Sequence, residues 1–300
     1  MGEVMADMYP VREDSRLTVL APAKVNLTLE VLAKRPDGFH EIRSVVQAIN
    51  LCDYIRFHLS QSIEFRCDEP NWTLEQSLVP RAVSLLRETT KCSQGATVEI
   101  NKRIPLLSGL GGDSSDAAAI LLGLNKLWGL GLPASELAGL ASRLGSDVAF
   151  FLYGGTALLT GRGELVAPLP SLPRMWVVIM VPPVPRTPGK TARLYASLEA
   201  SHYTPGQITE RLVARLTGGG EVTLSIPLFN VFDRAMQNAG LGQYWQQLVT
   251  AGAPEVHLAG SGPALFTVVG SRVQAEEVYR RLQQAGLESY LVETLASKAG

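Results

Sequence analysis

The run Ile104-Pro-Leu-Leu-Ser-Gly-Leu-Gly-Gly-Asp-Ser-Ser-Asp-Ala-Ala-Ala119 passes through Gly109, Gly111 and Gly112 and the Ser114-Ser115 pair into an apolar-periodic stretch. Glycines let a backbone approach an anion closely, and the free N–H groups and dipole of a following helix favour negative charge. The run therefore reads as a phosphate cradle on a helix N-terminus, with a nucleoside triphosphate as the ligand it implies. Ala117, Ile120, Leu121, Leu124, Leu127 and Trp128 recur at helical spacing, and Gly129 and Gly131 supply the stop. Asp113 or Ser114 is expected to cap this helix, which puts Ser115 in its first turn with the hydroxyl near a bound phosphate or metal. A tight loop with a good cap accounts for the same residues without a ligand. Two other phosphate motifs are excluded: the chain has no G-x-x-x-x-G-K-[ST], and Gly109-x-Gly111-x-x-Ser114 lacks the third glycine of a dinucleotide fold.

The elements that must position these residues follow from hydrophobic period. Val25, Leu27, Leu29 and Val31 share one face of an expected strand, so that Lys24 and Asn26 project side by side from the other. The Pro36-Asp37-Gly38 turn delivers Phe39 and His40 to the next strand, which runs on through Val45, Gln47 and Ile49. Further strands are expected at 55–59, 63–67 and 97–100, with a helix over 79–90 between them. Ser135 caps a helix carrying Leu137, Leu140, Ala141 and Leu144, and Gly145 ends it. Asp147 then stands at the mouth of an apolar run, 148–153. The second half reads as a buried strand at 176–181, a proline-rich extended loop, a helix over 191–201 and a glycine-rich connection at 217–225. Helices over 230–239 and 242–251 follow, then strands near 256 and at 264–269, a helix over 273–285 and a strand at 289–292. Strands followed by helices, twice over and without an internal repeat, argue for an α+β fold rather than a doubly wound parallel sheet.

Three hundred residues suit two domains better than one. Lysine plus arginine, 27, nearly balance aspartate plus glutamate, 28, and no basic block occurs, so a nucleic-acid or anionic-membrane surface has no support and a small polar ligand is the default. Cys52, Cys67 and Cys92 stand in no C-x-x-C spacing, and the four histidines are scattered, which argues against a disulfide framework, a zinc site or a bound transition metal. No apolar run approaches a membrane span, and residues 1–16 read as a polar leader. A cytoplasmic chain, a monomer or weak homodimer, is expected.

Pro22-Ala23-Lys24-Val25-Asn26-Leu27, Pro105-Leu-Leu-Ser-Gly-Leu-Gly-Gly-Asp-Ser-Ser115 and Gly260-Ser261-Gly262-Pro263 stand in the order and spacing of three family motifs. From about residue 17 to about 292 the chain resembles the GHMP kinases. Arg35-Pro-Asp-Gly-Phe-His-Glu41 and Gly145-Ser-Asp-Val-Ala-Phe-Phe151 resemble the branch that acts on a cytidine diphosphate ester of methylerythritol, rather than the mevalonate or homoserine kinases. The resemblance implies a ribosomal protein S5 domain 2-like, ATP-binding N-terminal domain over 17–171. It implies a ferredoxin-like C-terminal domain over 172–296, with the active site in the cleft between the two. The implied reaction is ATP- and Mg²⁺-dependent transfer of a γ-phosphoryl group to the 2-hydroxyl of that ester, a step toward isoprenoid precursors by the non-mevalonate route. Such a transfer needs a positioned alcohol and neutralised phosphate charge more than a covalent intermediate.

By the same resemblance Asp147 is the catalytic carboxylate and Lys24 its partner, which keeps it ionised and stabilises charge on the attacking oxygen. The implied nucleotide-binding set is Lys102, Pro105, Leu106, Leu107, Ser108, Gly109, Leu110, Gly111, Gly112, Asp113, Ser114 and Ser115. Asn26, Phe39, His40 and Tyr195 are implied for the substrate, Phe39 and Tyr195 against the cytosine face and His40 at its edge. Taken singly, Phe39 and Tyr195 also suit a core, His40 a surface beside a turn and Lys102 a solvated strand end. Three residues depart from the family pattern: Asp113 where a small residue is usual, Ser77 where an asparagine lies near the adenine, and Ala149 in place of a proline.

Overall fold

The computed structural model describes residues 11–13, 16–218, 228–236 and 240–296. The first half contains β1 (Val11–Glu13), β2 (Arg16–Asn26), β3 (Thr28–Lys34), β4 (His40–Ser60), β5 (Ile63–Cys67), α1 (Val79–Thr90) and β6 (Gly95–Asn101). Next come α2 (Gly112–Leu127), α3 (Ala134–Leu144), α4 (Val148–Tyr153), β7 (Thr156–Thr160), β8 (Leu165–Pro168) and β9 (Trp176–Met180). The remainder holds α5 (Lys190–Ala196), α6 (Gln207–Thr217), β10 (Phe229–Asn230), α7 (Gly242–Thr250), β11 (His257–Leu258), β12 (Leu265–Val269), α8 (Arg272–Gln284) and β13 (Ser289–Glu293). The fold is α+β.

Contacts divide the chain into two units built from discontinuous segments. One takes the chain up to Ala23, Leu51–Leu106 and Gly111–Leu152; the other takes Lys24–Asn50, Leu107–Leu110 and the chain from Tyr153 onward.

In the first unit, residues 54–60 of β4 pair antiparallel with β6, and β5 runs parallel to β6 on its other side. Helices α1, α2 and α3 pack on one another, and their buried faces follow the predicted periodicity, for example Leu137, Leu140, Ala141 and Leu144 on α3. Gly123 marks the closest approach of α2 to the sheet: a Cβ there would lie 2.3 Å from the Phe57 ring.

In the second unit, β3 pairs antiparallel with the first part of β4, β7 pairs with residues 44–47 of β4, β8 pairs with β7, and β10 runs parallel to β3. A separate four-stranded antiparallel sheet has the order β11-β12-β9-β13, with α8 against β9, β12 and β13. Its core joins Val178, Met180, Leu265, Val278 and Leu282 to Val231, Phe232 and Leu248.

Several sequence expectations change in detail. The alternating run around Val25–Val31 is two strands, because the chain bends at Leu27 and both β2 and β3 then lie beside β4. The apolar run 148–153 is the short helix α4, and a six-residue apolar stretch carries too little period to tell helix from strand. The helix expected over 191–201 stops at Ala196, followed by a short 3₁₀ turn at Ala200–His202. The helix expected over 230–239 is a strand pair at Phe229–Asn230 and a 3₁₀ helix, Val231–Met236, with 237–239 outside the described residues. Most of the expected leader and of the 217–225 connection also lies outside them.

Candidate active site

In the second unit, β2 ends on Lys24 and Asn26 side by side, as their spacing predicts, and both are buried at 4% and 6% exposure. Lys24 Nζ donates to Asn26 Oδ1 at 2.7 Å, Asn26 Nδ2 donates to Ser44 Oγ at 2.9 Å, and Ser44 Oγ donates to the Thr28 carbonyl. This relay fixes the ammonium from behind. An Asn amide whose two ends are committed in this way has one orientation. Lys24 N also donates to the Leu110 carbonyl at 2.9 Å, which ties the lysine strand to the middle of the glycine-rich run.

The third motif lies against the same residues. Gly260 has φ +57°, and a Cβ there would sit 3.2 Å from Lys24 Nζ, 3.5 Å from Asn26 Oδ1 and 3.0 Å from the Gly109 carbonyl. Gly109 has φ +90°, and its Cβ would fall 2.0 Å from the Ala259 carbonyl oxygen. Only a glycine satisfies both the angle and the approach. The turn is held by Ala264 N donating to Ser108 O, by Gly262 N donating to Ala259 O, and by buried Asn230, whose Nδ2 donates to the Leu258 and Gly260 carbonyls at 2.9 and 2.8 Å. Asn230 and Ser44 leave no mark in the sequence pattern, because both act across chain separations that no local spacing records.

An aromatic cluster stands at another part of this unit. The His40 ring is 5.4 Å from Tyr195 and 6.0 Å from Tyr203, and Tyr195 meets Phe232 edge-on at 5.0 Å. His40 Nε2 is buried with no hydrogen-bond partner, and burial together with nearby Lys34 pushes the imidazole below its usual range. Phe39 is 49% exposed, with the Arg162 guanidinium 4.8 Å from its ring centre. His40 and Tyr195 are thus brought together, and Phe39, next in sequence to His40, is exposed beneath the Arg162 guanidinium.

In the first unit, the cap of α2 is Gly111 at φ +80°, so neither Asp113 nor Ser114 fills the expected capping place. Both lie within the first turn, with Ser115 N donating to Gly111 O at 2.9 Å. Ser115 Oγ and Asp116 Oδ1 are buried and without hydrogen-bond partners. Leu107, ahead of the helix, also holds a left-handed backbone at φ 53° and is exposed. Asp113 faces Ser77 and Leu78 instead of open solvent: Ser77 Oγ donates to it at 2.6 Å and Leu78 N at 3.0 Å. Burial raises its pKa above the usual carboxylate value, and those two bonds oppose the rise.

Lys102 is the largest difference from the sequence picture. Its side chain is 4% exposed and its ammonium is held by Asp53 and by Asp116, the latter at 2.7 Å. Burial alone would lower its pKa, but Asp116 and Asp53 outweigh that and hold it above the ordinary lysine value. Asp53 Oδ1 also accepts from Arg103 N and Ile104 N, so the triad clamps the entry to the glycine-rich run. Asp116, fully buried, is pushed well above the carboxylate range by burial, against the pull of Lys102. Pro105 and Leu106 are half-buried beyond the clamp. Asp147 is half-buried in the turn directly before α4.

A glycine-lined helix start, a buried lysine-asparagine pair and a glycine turn against it are the features of a small-molecule kinase. Residues 77–155 match the family model of the GHMP kinases N terminal domain. The chain is 48% identical over 283 residues to the 4-diphosphocytidyl-2-C-methyl-D-erythritol kinase of Dehalococcoides mccartyi, covering 93% of this chain and 98% of that protein. A crystal structure of a 4-(cytidine 5'-diphospho)-2C-methyl-D-erythritol kinase superposes with a TM-score of 0.77 at 31% identity, over 92% of this chain and 98% of that one. The homoserine kinase of Cytophaga hutchinsonii shares the fold, with a TM-score of 0.70 at 20% identity, over 97% of this chain and 98% of that one. The chain belongs to the 4-diphosphocytidyl-2-C-methyl-D-erythritol kinase family of the GHMP kinases.

Proposed function

We propose that this kinase transfers the γ-phosphoryl group of ATP to the 2-hydroxyl of 4-diphosphocytidyl-2-C-methyl-D-erythritol. The observation that carries the reading is the buried Lys24 ammonium, oriented by Asn26 against the Gly260 turn, with the Lys24 main-chain N–H tied to Leu110 within the glycine-rich run. A cation fixed and desolvated in this way stabilises charge on an attacking alkoxide far more than one moving in water.

Asp147 accepts the hydroxyl proton as the oxygen attacks, the new O–P bond forms and the bond to the β-phosphate oxygen breaks, releasing ADP. The free N–H groups at the start of α2 and the run from Pro105 to Ser115 hold the donor phosphates. Mg²⁺, when bound, neutralises phosphate charge. The orphaned Ser115 hydroxyl in the first turn of α2 would supply an oxygen to such an ion, while Asp116 stays committed to Lys102. Lys102 serves the nucleotide indirectly, by bracing the loop with Asp53 and Asp116.

At the acceptor end, cytosine lies between Phe39 and Tyr195, with the unsatisfied His40 Nε2 at its edge. The chain acts in the cytoplasm as a monomer or weak homodimer, with an ATP-binding domain over 17–171 and a second domain over 172–296.

Coupled ADP production tests the reading. ATP, Mg²⁺ and the cytidine diphosphate ester should give turnover that mevalonate and homoserine do not. Saturable ATP binding without turnover on the ester would leave a nucleotide-binding protein instead, and turnover on another alcohol a different GHMP kinase.

A further inference from the structure

Lys190 opens α5, and its ammonium lies beside the glycine turn: a Cβ placed on Gly262 would be 3.4 Å from Lys190 Nζ. The other end of that turn faces Lys24 Nζ, so two lysines from distant parts of the chain flank Gly260-Ser261-Gly262. Thr191, next to Lys190, is fixed to the turn by a 2.7 Å contact between its hydroxyl and that of Ser261. The other cations of the segment are engaged, Arg186 with Glu288 at 3.2 Å and Arg193 with the Pro188 carbonyl and the Thr187 hydroxyl. No carboxylate among the described residues pairs with Lys190, although it is half-buried and burial pulls its pKa down. A lysine at the first residue of a helix also opposes the helix dipole. Among the described residues no negative charge offsets this placement, which leaves the half-buried ammonium open to an anionic ligand.

We infer that Lys190 binds the diphosphate of the acceptor and is the residue that distinguishes a nucleoside diphosphate ester from an uncharged nucleoside. This rests on the cytidine-ester reading of the site. The placement along α5 favours the acceptor over the phosphate donor. Tyr195, in ring contact with His40, is five residues further along the same helix, about 7.5 Å along its axis at 1.5 Å per residue. The two residues also stand about 140° apart around the helix, so α5 presents Tyr195 toward His40 and Lys190 toward the glycine turn, with room for a ribose between base and diphosphate.

The test compares binding of CDP and cytidine to the unaltered chain, Lys190→Gln and Lys190→Arg by calorimetry without ATP, with steady-state kinetics alongside. Lys190→Gln should lose about 10- to 100-fold in CDP affinity, the range for a charge-assisted hydrogen bond, with cytidine unaffected. The KM for the ester should rise by the same factor while kcat and the KM for ATP stay within about twofold. Lys190→Arg should keep most of the CDP affinity, and both variants should melt with the parent. Unchanged CDP affinity in Lys190→Gln, or a rise confined to the KM for ATP, overturns the assignment while leaving the cytidine reading intact. Failure of the unaltered chain to bind CDP at all overturns that reading, and the assignment with it.

Discussion

Ser77 Oγ donates to the Asp113 carboxylate at 2.6 Å, joining the start of α1 to the first turn of α2 across 36 residues. Ser77 and Asp113 are two of the three positions expected from the sequence to depart from the family pattern, and in the structure they are one interaction. An aspartate at the rim of a phosphate cradle repels the ligand when it faces the ligand. Here it is turned to the Ser77 hydroxyl and the Leu78 N–H, so its charge is satisfied within the fold. The two substitutions should therefore be coupled. Ser77→Ala alone should destabilise by about 1–2 kcal/mol by leaving a buried carboxylate short of a donor, and the Ser77→Ala/Asp113→Ala double variant should cost less than the sum of the singles. Urea unfolding of the four proteins measures this, and strict additivity would show that the bond contributes nothing.

Lys24→Ala and Asp147→Asn should each abolish phosphoryl transfer, by 10²-fold or more, while ATP binding persists. Single-turnover ADP release and equilibrium nucleotide binding separate the two effects. Near-normal turnover in either variant would remove that residue from the chemistry.

Ser44 is linked to Lys24 through Asn26, and its contribution is one of orientation. Ser44→Ala should lower kcat by about 3- to 10-fold with little change in either KM, the signature of a group felt only in the transition state. Ser44→Thr, which restores a donor and an acceptor, should recover part of the loss. An unchanged kcat in Ser44→Ala would mean that Lys24 holds its place without the relay.

Phe39→Ala should raise the KM for the cytidine ester about 10-fold through loss of base stacking, with a smaller effect on ATP. Equal losses for both ligands would count against Phe39 as the base platform.

His257 gives the fold a pH dependence remote from the chemistry. Its Nδ1 is 2.7 Å from Asp233, which also accepts from Leu258 N. Burial works against the imidazolium, but Asp233 and Glu255 prevail and raise the pKa above the usual histidine value. A raised folded-state pKa means that the stabilisation is complete below the unfolded value, near pH 6.5, and fades as pH climbs through the folded value. The parent should therefore lose stability relative to His257→Gln across that interval and hold a constant advantage below it. Parallel melting curves from pH 5 to 9 provide the comparison.

What the sequence revealed was whatever is carried by local spacing. The expected helix over 79–90 coincides with α1, and the Lys24-Asn26 alternation ends in a real hydrogen bond because two residues on a strand face are neighbours by geometry. Where the outcome depended on partners far along the chain, the sequence was silent. Lys102 reads as a solvated strand end until Asp53, 49 residues earlier, and Asp116 close around it. The hairpin of β7 and β8 and the helix α6 went unnoticed. In α6 the buried Thr209, Leu212 and Leu216 include a polar residue, whose hydroxyl is engaged by Thr28. The bend at Leu27 had no glycine or proline to announce it.

The contact of Gly109 with Ala259 bears on how this chain can change over time. The atom that a side chain at 109 would strike is a main-chain oxygen, so no replacement of residue 259 makes room. Ordinary clashes between side chains can be relieved by a second mutation at the neighbour, which opens a path through sequence space. This one offers no such path. Sequence change is therefore channelled to positions outside this contact, while Gly109 itself is closed to drift.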